Sequence, residues 1–457
     1  MPLSSSSIVL PYQFSKARYG EMKARDLSKL FIFLAGVVAP FLLYLQQGAL
    51  LDGASSPEHD PSPTLLSSPS EYFVPDDDWP MHNIDTNNTV AYAISITGCG
   101  NTDRAAEQLL QGAAVLGHSI KLNSASTPES GSRYEHKLIA FVHPDALACS
   151  ERFAALGYEI QIRPVPVNVS EIRGEFLRTH VHKIGCCGAK EYLKLYSYQL
   201  TAYNAVVHLD VDCIILKPLD DLFDVMTEGP LSPAASKIPV MHGRALPGRV
   251  DAFFSRDYNM VHVGKKYPGF QGGFLVFRPS MEAYQEYVDI ILEGNFVAGQ
   301  GWNGTFGGYW GAQQIQGICS YFYDGLHPDT AVELNRCIYN QMVDAPSRDV
   351  NGEEKCIDGM EECEDCRRTD ISEILSAHFT QECGKPWDCS IPDESKSKFR
   401  LCRELKRQWH LTRKKLVDSR SSSGAWPFQE YDGKHEPDVF QGHCKQVGAH
   451  GYLPFQI

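Results

Sequence analysis

The residues of this 457-residue chain whose types and spacing most clearly suggest chemistry are two aspartates in a mostly apolar stretch. Asp210 and Asp212 interrupt VVHLDVDCIIL, which otherwise reads as buried strand. An ionised carboxylate inside a core is costly unless a cation or hydrogen-bond donors compensate it. In extended chain both side chains point to the same side and can reach one hard divalent ion. We therefore expect a cation here, with a purely structural acidic turn as the alternative. If the two charges repel each other, Asp212→Asn should leave the protein without ligand at least as stable.

The elements around this pair predict an α/β fold. Strand-like runs alternate with runs of helical spacing: AYAISIT, AAEQLLQGAAVLGHSI, KLIAFVHP, ALACSERFAALG, YEIQIRPVPV. This alternation predicts a parallel sheet covered on both faces. EYLKLYSYQL then predicts a helix, and AVVHL a strand that ends at Asp210. Ligands of open α/β sheets bind beyond the carboxyl ends of strands, so the aspartates lie where a ligand site is expected.

The N-terminal part of the chain predicts a membrane anchor. Residues 30–51 form a mostly apolar run long enough to cross a bilayer. Lysines and arginines precede this run, and none follows before Arg104, so residues 1–29 are expected to be cytosolic and the rest luminal. Residues 52–89, rich in Ser, Pro and Asp, predict a flexible stem. A cleaved signal peptide is the alternative. The net charge of −14, without a basic stripe, argues against nucleic acid as a partner.

Cysteine usage agrees with an oxidising lumen. Eight of the fourteen cysteines follow residue 330, which favours disulfides. The step Cys363-Glu-Asp-Cys366 leaves a zinc site or a redox pair open as alternatives. Asn87, Asn168 and Asn303 each begin a triplet that permits glycosylation in that compartment.

Several motifs together resemble a known family. KLYSYQLTAYNAVVHLDVDCIILKPLDDLF, with AYAISIT and GAAVLGHSI before it and FQGGFLVFRPS and HFTQECGKPW after it, resembles glycosyltransferase family 8 from about Ala91 to Trp387. This is the glycogenin and galactinol synthase group, whose members retain the configuration of the transferred sugar. The resemblance implies a single-domain, Rossmann-like GT-A fold, a UDP-sugar donor, and Mn²⁺ or Mg²⁺.

The resemblance also implies roles for residues of this chain. Asp210 and Asp212 match the metal-binding motif, and His378 in SAHFT matches the third protein ligand. Lys385 in GKPW matches the lysine that meets the diphosphate, and Lys194 in YLKLYSYQL matches one near the sugar donor. The alternatives are an ordinary histidine near a strand end and lysines on solvated helix faces.

The implied reaction centre contains amides rather than a nucleophilic carboxylate. Gln271 in FQGGF and Gln313 in WGAQQIQG match family amides, and Ala312 stands where many members have Asp. These residues favour front-side attack by the acceptor hydroxyl, with the donor phosphate taking the proton. Thr97 ends the first strand, where the nucleotide is expected to bind.

Two departures from the family pattern affect the donor site. His378 and Lys385 are one residue further apart than in the family's His-x-x-Gly-x-x-Lys-Pro-Trp motif. GCGN, residues 98–101, replaces the usual polar residues where the base should bind. The position of the lysine and the identity of the donor therefore stay open.

Two further segments have competing interpretations. The glycine-rich loop 299–311 carries Trp302, Phe306, Tyr309 and Trp310, which could stack on an acceptor sugar or pack the loop onto the domain. The basic stretch Arg403–Leu416 is interpreted as a solvated helix face.

The sequence predicts a type II, single-pass membrane enzyme of the Golgi or endoplasmic reticulum. Its catalytic domain, residues 90–390, would transfer a sugar from UDP to a glycan or glycoconjugate acceptor with retention, and residues 391–457 would form a Cys-containing extension. The alternatives are a catalytically silent glycan- or nucleotide-binding protein on the same fold and a self-glucosylating primer like glycogenin.

Overall fold

The computed structural model describes residues 88–182, 185, 187–260, 269–309, 311–391, 400–422 and 435–455. All of them belong to one compact unit, Met81–Ile457, which includes the segment after residue 390. The predicted cytosolic tail, membrane span and nearly all of the stem lie outside the described residues, as does Asn87. Within the described ranges, no helix has the length and apolar character needed to cross a membrane.

A seven-stranded mixed sheet forms the centre of this unit. Its spatial order is β10-β6-β7-β4-β1-β2-β3. The strands are β1 (Thr89–Ile96), β2 (Glu135–Val142), β3 (Glu159–Ile162), β4 (Val206–Leu209), β6 (Ala252–Arg256), β7 (Phe270–Phe277) and β10 (Ala331–Glu333). The pairs β1–β2, β1–β4, β2–β3 and β6–β10 are parallel.

The expectation of an entirely parallel sheet is wrong for β7, which runs antiparallel to both β4 and β6. All eight residues of FQGGFLVF are buried. A continuous apolar run indicates burial on both faces but carries no information about strand direction.

Helices cover both faces of the sheet. They are α1 (Asp103–Asn123), α2 (Ser150–Ala155), α3 (Glu175–His180), α4 (Asp220–Glu228), α5 (Met281–Glu293), α6 (Ile315–Ser320), α7 (Arg400–Ser422) and α8 (Pro437–Phe440). The predicted helix EYLKLYSYQL lies in a 3₁₀ segment, Gly188–Gln199. Alternate residues of β1 face different cores: Tyr92 and Ile94 pack with α1, whereas Ala91 and Ala93 pack with the 3₁₀ segment.

Three two-stranded ladders complete the described sheets: β5 (Cys213–Ile215) with β13 (Ser376–His378), β8 (Phe296–Val297) with β9 (Gly301–Trp302), and β11 (Ser347–Val350) with β12 (Glu353–Cys356). The β5–β13 ladder is antiparallel and joins the strand after the aspartates to a strand near residue 377.

Disulfides account for ten of the cysteines. The pairs are Cys99–Cys149, Cys337–Cys366, Cys356–Cys363, Cys383–Cys402 and Cys389–Cys444. Cys363 and Cys366 therefore bond to different partners, and the alternative of a zinc or redox pair at this step is wrong. The prediction that disulfides predominate is confirmed.

The basic stretch of α7 is not simply a solvated face. Lys406, His410 and Arg413 are fully buried, whereas Arg407 and Lys414 are exposed. A backbone carbonyl accepts a hydrogen bond from each of these three buried side chains. Lys406 Nζ donates to the carbonyl of Ser390, and His410 Nε2 donates to that of Pro386. Arg413 Nη2 donates to the carbonyl of Leu453. A count of charges along the sequence cannot detect such carbonyl partners.

The rings of the glycine-rich loop mostly pack into the domain. Trp302 is fully buried, meets Phe296 edge to face and donates from Nε1 to the carbonyl of Ala312 at 2.8 Å. Phe306 is also buried. The hypothesis of an exposed acceptor platform is therefore wrong for Trp302 and Phe306, and Trp310 lies outside the described residues.

Candidate functional site

One cavity of about 900 Å³ brings together most of the residues singled out in the sequence. Its lining includes Thr97, Lys194, Asp210, Asp212, Gln271, His378 and Lys385. Gln313 does not line this cavity, although its neighbour Gln314 does. The cavity lies at the edge of the sheet where the parallel strands β1, β4 and β6 end.

The two aspartates lie in a tight turn between β4 and β5. The amide of Cys213 donates to the carbonyl of Asp210 at 3.0 Å, so the chain reverses here and is not extended as the sequence suggested. The amide of Asp210 donates to the carbonyl of Gly273 at 3.0 Å, which attaches the turn to β7. The turn therefore joins the end of the buried strand β4 to the start of β5, which pairs with β13.

His378 reaches the aspartates through the β5–β13 ladder. It lies directly opposite Cys213, and the amide of Phe379 donates to the carbonyl of Asp212 at 2.9 Å. In this register His378 Nε2 is 3.3 Å from Asp212 Oδ1. Its other ring nitrogen, Nδ1, is buried and has no hydrogen-bond partner among the described residues.

Each carboxylate of the pair has its own ammonium group. Lys194 Nζ lies 2.8 Å from Asp210 Oδ1, and Lys385 Nζ forms an ion pair with Asp212 Oδ2. Lys194 is almost fully buried and also contacts Glu191 Oε2 at 3.1 Å and the carbonyl of Gly272 at 2.9 Å. Protein cations therefore compensate both the buried carboxylate of Asp212 and the partly exposed carboxylate of Asp210.

Electrostatics at Asp212 favour its ionised form. Burial alone would raise the pKa of this carboxyl, but His378 and Lys385 outweigh burial and lower the pKa below its ordinary value. Burial opposes the charge on Lys385, yet Asp212 raises the pKa of that ammonium. The carboxylate and its cation thus stabilise each other's charged state.

The donor set fits a divalent cation. Asp212, Cys213 and His378 offer ligand atoms within 4.8 Å of one another. A methyl group on Gly273 would lie 2.8 Å from His378 Nδ1 and 2.9 Å from Asp210 Oδ2, so these atoms border one small space that only glycine leaves open. Burial raises the pKa of Cys213 well above its ordinary value, which keeps the thiol neutral. The remaining carboxylate and imidazole donors can hold a divalent ion.

The two predicted catalytic amides differ in position. Gln271 lines the cavity, and its Oε1 accepts from the amide of Gly273 at 2.6 Å and from Asn340 Nδ2 at 3.3 Å. Gln271 therefore supports the backbone beside the aspartates. Gln313 is buried away from the cavity, where its carbonyl accepts from the Tyr192 hydroxyl. The structure places Ala312 in the core, fully buried.

Asp257 is a cavity residue that sequence reasoning missed. It follows β6, is 2% exposed, and its Oδ1 is buried without a hydrogen-bond partner among the described residues. Burial raises the pKa of this carboxyl, with a partly opposing effect from His378. In the sequence it belongs to SRD, which resembles a solvated turn. Its position after a buried strand, like that of Asp210, was the signal that could have identified it.

The loop after β1 forms another wall of the cavity. The carbonyl of Thr97 accepts from Lys190 Nζ at 3.0 Å, and Lys190 also pairs with Asp145. The Cys99–Cys149 disulfide fixes the same loop, whose Gly98, Gly100 and Asn101 line the cavity. GCGN thus contributes a fixed backbone wall, and Lys190 is a cavity lysine that sequence reasoning missed.

Comparisons with known proteins give only remote structural similarities. No protein-family model matches the chain, and no curated protein matches it. Mouse xyloside xylosyltransferase 1 is 13% identical, with 55% of this chain and 87% of that chain covered and a TM-score of 0.35. The glycosyltransferase GlyE of Streptococcus pneumoniae TIGR4 is 13% identical (76% and 67% covered, TM-score 0.36). The galactosyltransferase LgtC, solved with donor and acceptor sugar analogues, is 12% identical (72% and 95% covered, TM-score 0.36). TM-scores at this level do not establish a common fold.

Proposed function

We propose that this protein is a glycosyltransferase of the GT-A fold that transfers a sugar from a UDP-sugar to a glycan or glycoconjugate acceptor with retention of configuration. The main support for the proposal is that Asp210, Asp212 and His378 lie close together at one edge of the sheet. Two lysines, Lys194 and Lys385, lie against the same carboxylates. A cavity with this donor set suits a divalent ion together with a diphosphate.

Asp210, Asp212 and His378 would hold the divalent ion, Mn²⁺ or Mg²⁺. When bound, the ion would neutralise charge that develops on the departing UDP. Lys385 has 38% of its side chain exposed, so its ammonium can leave Asp212 for a phosphate oxygen. Lys194 is held by three protein oxygens and would stay beside Asp210.

Front-side transfer suits the side chains of this cavity. Gln271 uses its amide oxygen on the backbone, and Gln313 lies outside the cavity lining. Asp257 lines the cavity, and its Oδ1 is buried without a hydrogen-bond partner among the described residues. We therefore assign Asp257 to hydrogen bonding with a substrate hydroxyl, and the proton of the attacking hydroxyl to the donor phosphate. The enzyme would be anchored as a type II membrane protein of the Golgi or endoplasmic reticulum through residues 30–51.

Turnover of donor tests the proposal. The purified chain is incubated with MnCl₂ and a panel of UDP-sugars, and release of UDP is measured with and without acceptor glycans. We expect release from at least one donor, loss of that release with EDTA, and a large loss in Lys385→Ala. Lys237→Ala is the matched control, because Lys237 forms only a surface pair with Asp221. No release from any donor would refute enzymatic activity, and UDP binding without release would indicate a silent binder.

A further inference from the structure

The loop that carries Lys385 is attached on both sides to the C-terminal part of the chain. The Cys383–Cys402 disulfide joins it to α7 two residues before Lys385. The Cys389–Cys444 disulfide joins it to the segment after α8 four residues beyond Lys385. All four cysteines are buried. The two disulfides therefore restrict the movement of the short loop between them, which includes Lys385.

A chain of hydrogen bonds supports the loop between the two disulfides. The carbonyl of Pro386 can only accept, so His410 Nε2, 3.2 Å away, carries the donated proton. His410 Nδ1 must then accept from His443 Nδ1, also at 3.2 Å. Both rings are almost fully buried, and burial lowers the pKa of both, which agrees with neutral imidazoles in these tautomers.

Packing fixes the other side of the loop. Trp387 meets Trp409 of α7 edge to face, with ring centroids 6.0 Å apart, and its ring also touches α1 at Gly112. Lys406 Nζ donates to the carbonyl of Ser390. The buried face of α7 thus contacts the loop at successive positions from Cys383 to Ser390.

We infer that the C-terminal segment, residues 400–422 and 435–455, is a positioning element that sets Lys385 against the diphosphate of the donor, with His410 as its central positioning residue. This inference rests on the proposed function. It changes the interpretation of the one-residue insertion between His378 and Lys385, because the two disulfides and His410 fix the longer loop. The C-terminal segment is therefore part of the donor site.

The test separates diphosphate recognition from general stability. Affinities for UDP and for UMP, each with MnCl₂, are measured by calorimetry on the full chain, and their ratio is the readout. A charged contact to the second phosphate is expected to contribute roughly tenfold, so Lys385→Ala should lower the UDP preference by about that factor. His410→Phe, which keeps volume but loses the donor, should lower the preference about three- to tenfold and leave UMP affinity unchanged. His410→Gln, which can donate to Pro386, should restore it.

Two further comparisons make the result decisive. The double variant His410→Phe with Lys385→Ala should be no weaker than Lys385→Ala alone, because both changes remove one interaction. Cys383→Ser with Cys402→Ser should reproduce the loss, whereas Cys356→Ser with Cys363→Ser, which opens a disulfide away from the loop, should not. If the first cysteine pair does not fold, the His410 series alone decides.

Three outcomes would overturn the inference. His410→Phe could keep the wild-type ratio while Lys385→Ala loses it, which refutes the positioning role but leaves the donor site intact. All variants, including the Cys356 and Cys363 control, could lose the preference equally, which indicates only a stability effect. Wild-type protein could bind UDP no tighter than UMP, in which case the proposed function fails first and the positioning role with it.

Discussion

Replacing Asp212 by Asn removes one charge from the centre of the cavity while keeping the size of the side chain. From the sequence, this change was expected to relieve repulsion and leave the protein at least as stable. The structure reverses that expectation, because Asp212 is paired with Lys385 and lies 3.3 Å from His378. The substitution leaves an ammonium group without its main partner.

The magnitude of the loss follows from burial. Breaking a fully buried ion pair costs about 3–5 kcal/mol. Because 38% of the Lys385 side chain is exposed, water screens this pair, and we expect a loss of about 1–2 kcal/mol. For a unit of this size that loss lowers the melting temperature by roughly 1–3 °C. His378 and Lys385 lower the pKa of Asp212, so the stabilisation is present above the unfolded pKa of about 3.9 and is lost as pH falls below it.

Ligand binding gives the second measurement. Ligand at 100 times its dissociation constant stabilises the wild-type protein by about 2.7 kcal/mol, and a hundredfold weaker variant gains only about 0.4 kcal/mol. The rise in melting temperature of each protein on addition of MnCl₂ and UDP, at pH 7, therefore measures ligand binding at the site. Turnover should fall at least a hundredfold. Asp221→Asn, which removes the carboxylate from a surface pair with Lys237, is the control. If Asp212→Asn kept the turnover of the wild-type protein and the same rise in melting temperature with MnCl₂ and UDP, the proposed metal site would be refuted.

Three other variants test separate parts of the structure. Gly273→Ala should abolish the rise in melting temperature with MnCl₂ and UDP, because its methyl group would lie 2.4 Å from His378 Cε1, whereas Gly248→Ala, with nothing within 4 Å, should keep it. Burial raises the pKa of Asp344 to about 6, so its ionisation destabilises the fold as pH rises from about 4 to 6. In urea unfolding, Asp344→Asn should be more stable than wild type by about 3 kcal/mol at pH 7 and nearly equal to it at pH 4. Trp302→Ala should lower the free energy of unfolding by about 3–5 kcal/mol at every acceptor concentration; a selective rise in acceptor KM without that loss would contradict its core role.

The position of the site could be predicted from the sequence, but its charge pairing could not. A carboxylate pair after a buried strand marks the carboxyl end of that strand, and the cavity lies at this edge of the sheet. Lys194 pairs with Asp210 because the 3₁₀ segment places it beside the end of β4, and Lys385 pairs with Asp212 because β13 and the loop after it bring it there. Sequence spacing contains no information about which of several cations is nearest in space.

Burial of charge was the other limit of sequence reasoning. Asp257 and the buried groups of α7 belong to segments with a polar composition, which is typical of solvated surface. The α7 side chains are buried against carbonyl groups of distant segments, and Asp257 is buried in the wall of the cavity. For apolar residues composition predicts burial well, whereas for charged residues only their tertiary contacts decide it.

The ladder between β5 and β13 also determines when the cavity can form during synthesis. Lys385 lies 173 residues beyond Asp212. At translation rates of about 5–20 residues per second, Asp212 emerges roughly 10–35 seconds before Lys385, whereas Lys194, the partner of Asp210, has already emerged. During that interval the nascent chain carries one carboxylate, that of Asp212, which cannot yet be buried at low cost, so β5 should dock late. Closure of the cavity is then coupled to oxidation of Cys389 with Cys444, which is translated 55 residues later, so the loop that carries Lys385 can be fixed only after α7 and α8 have emerged.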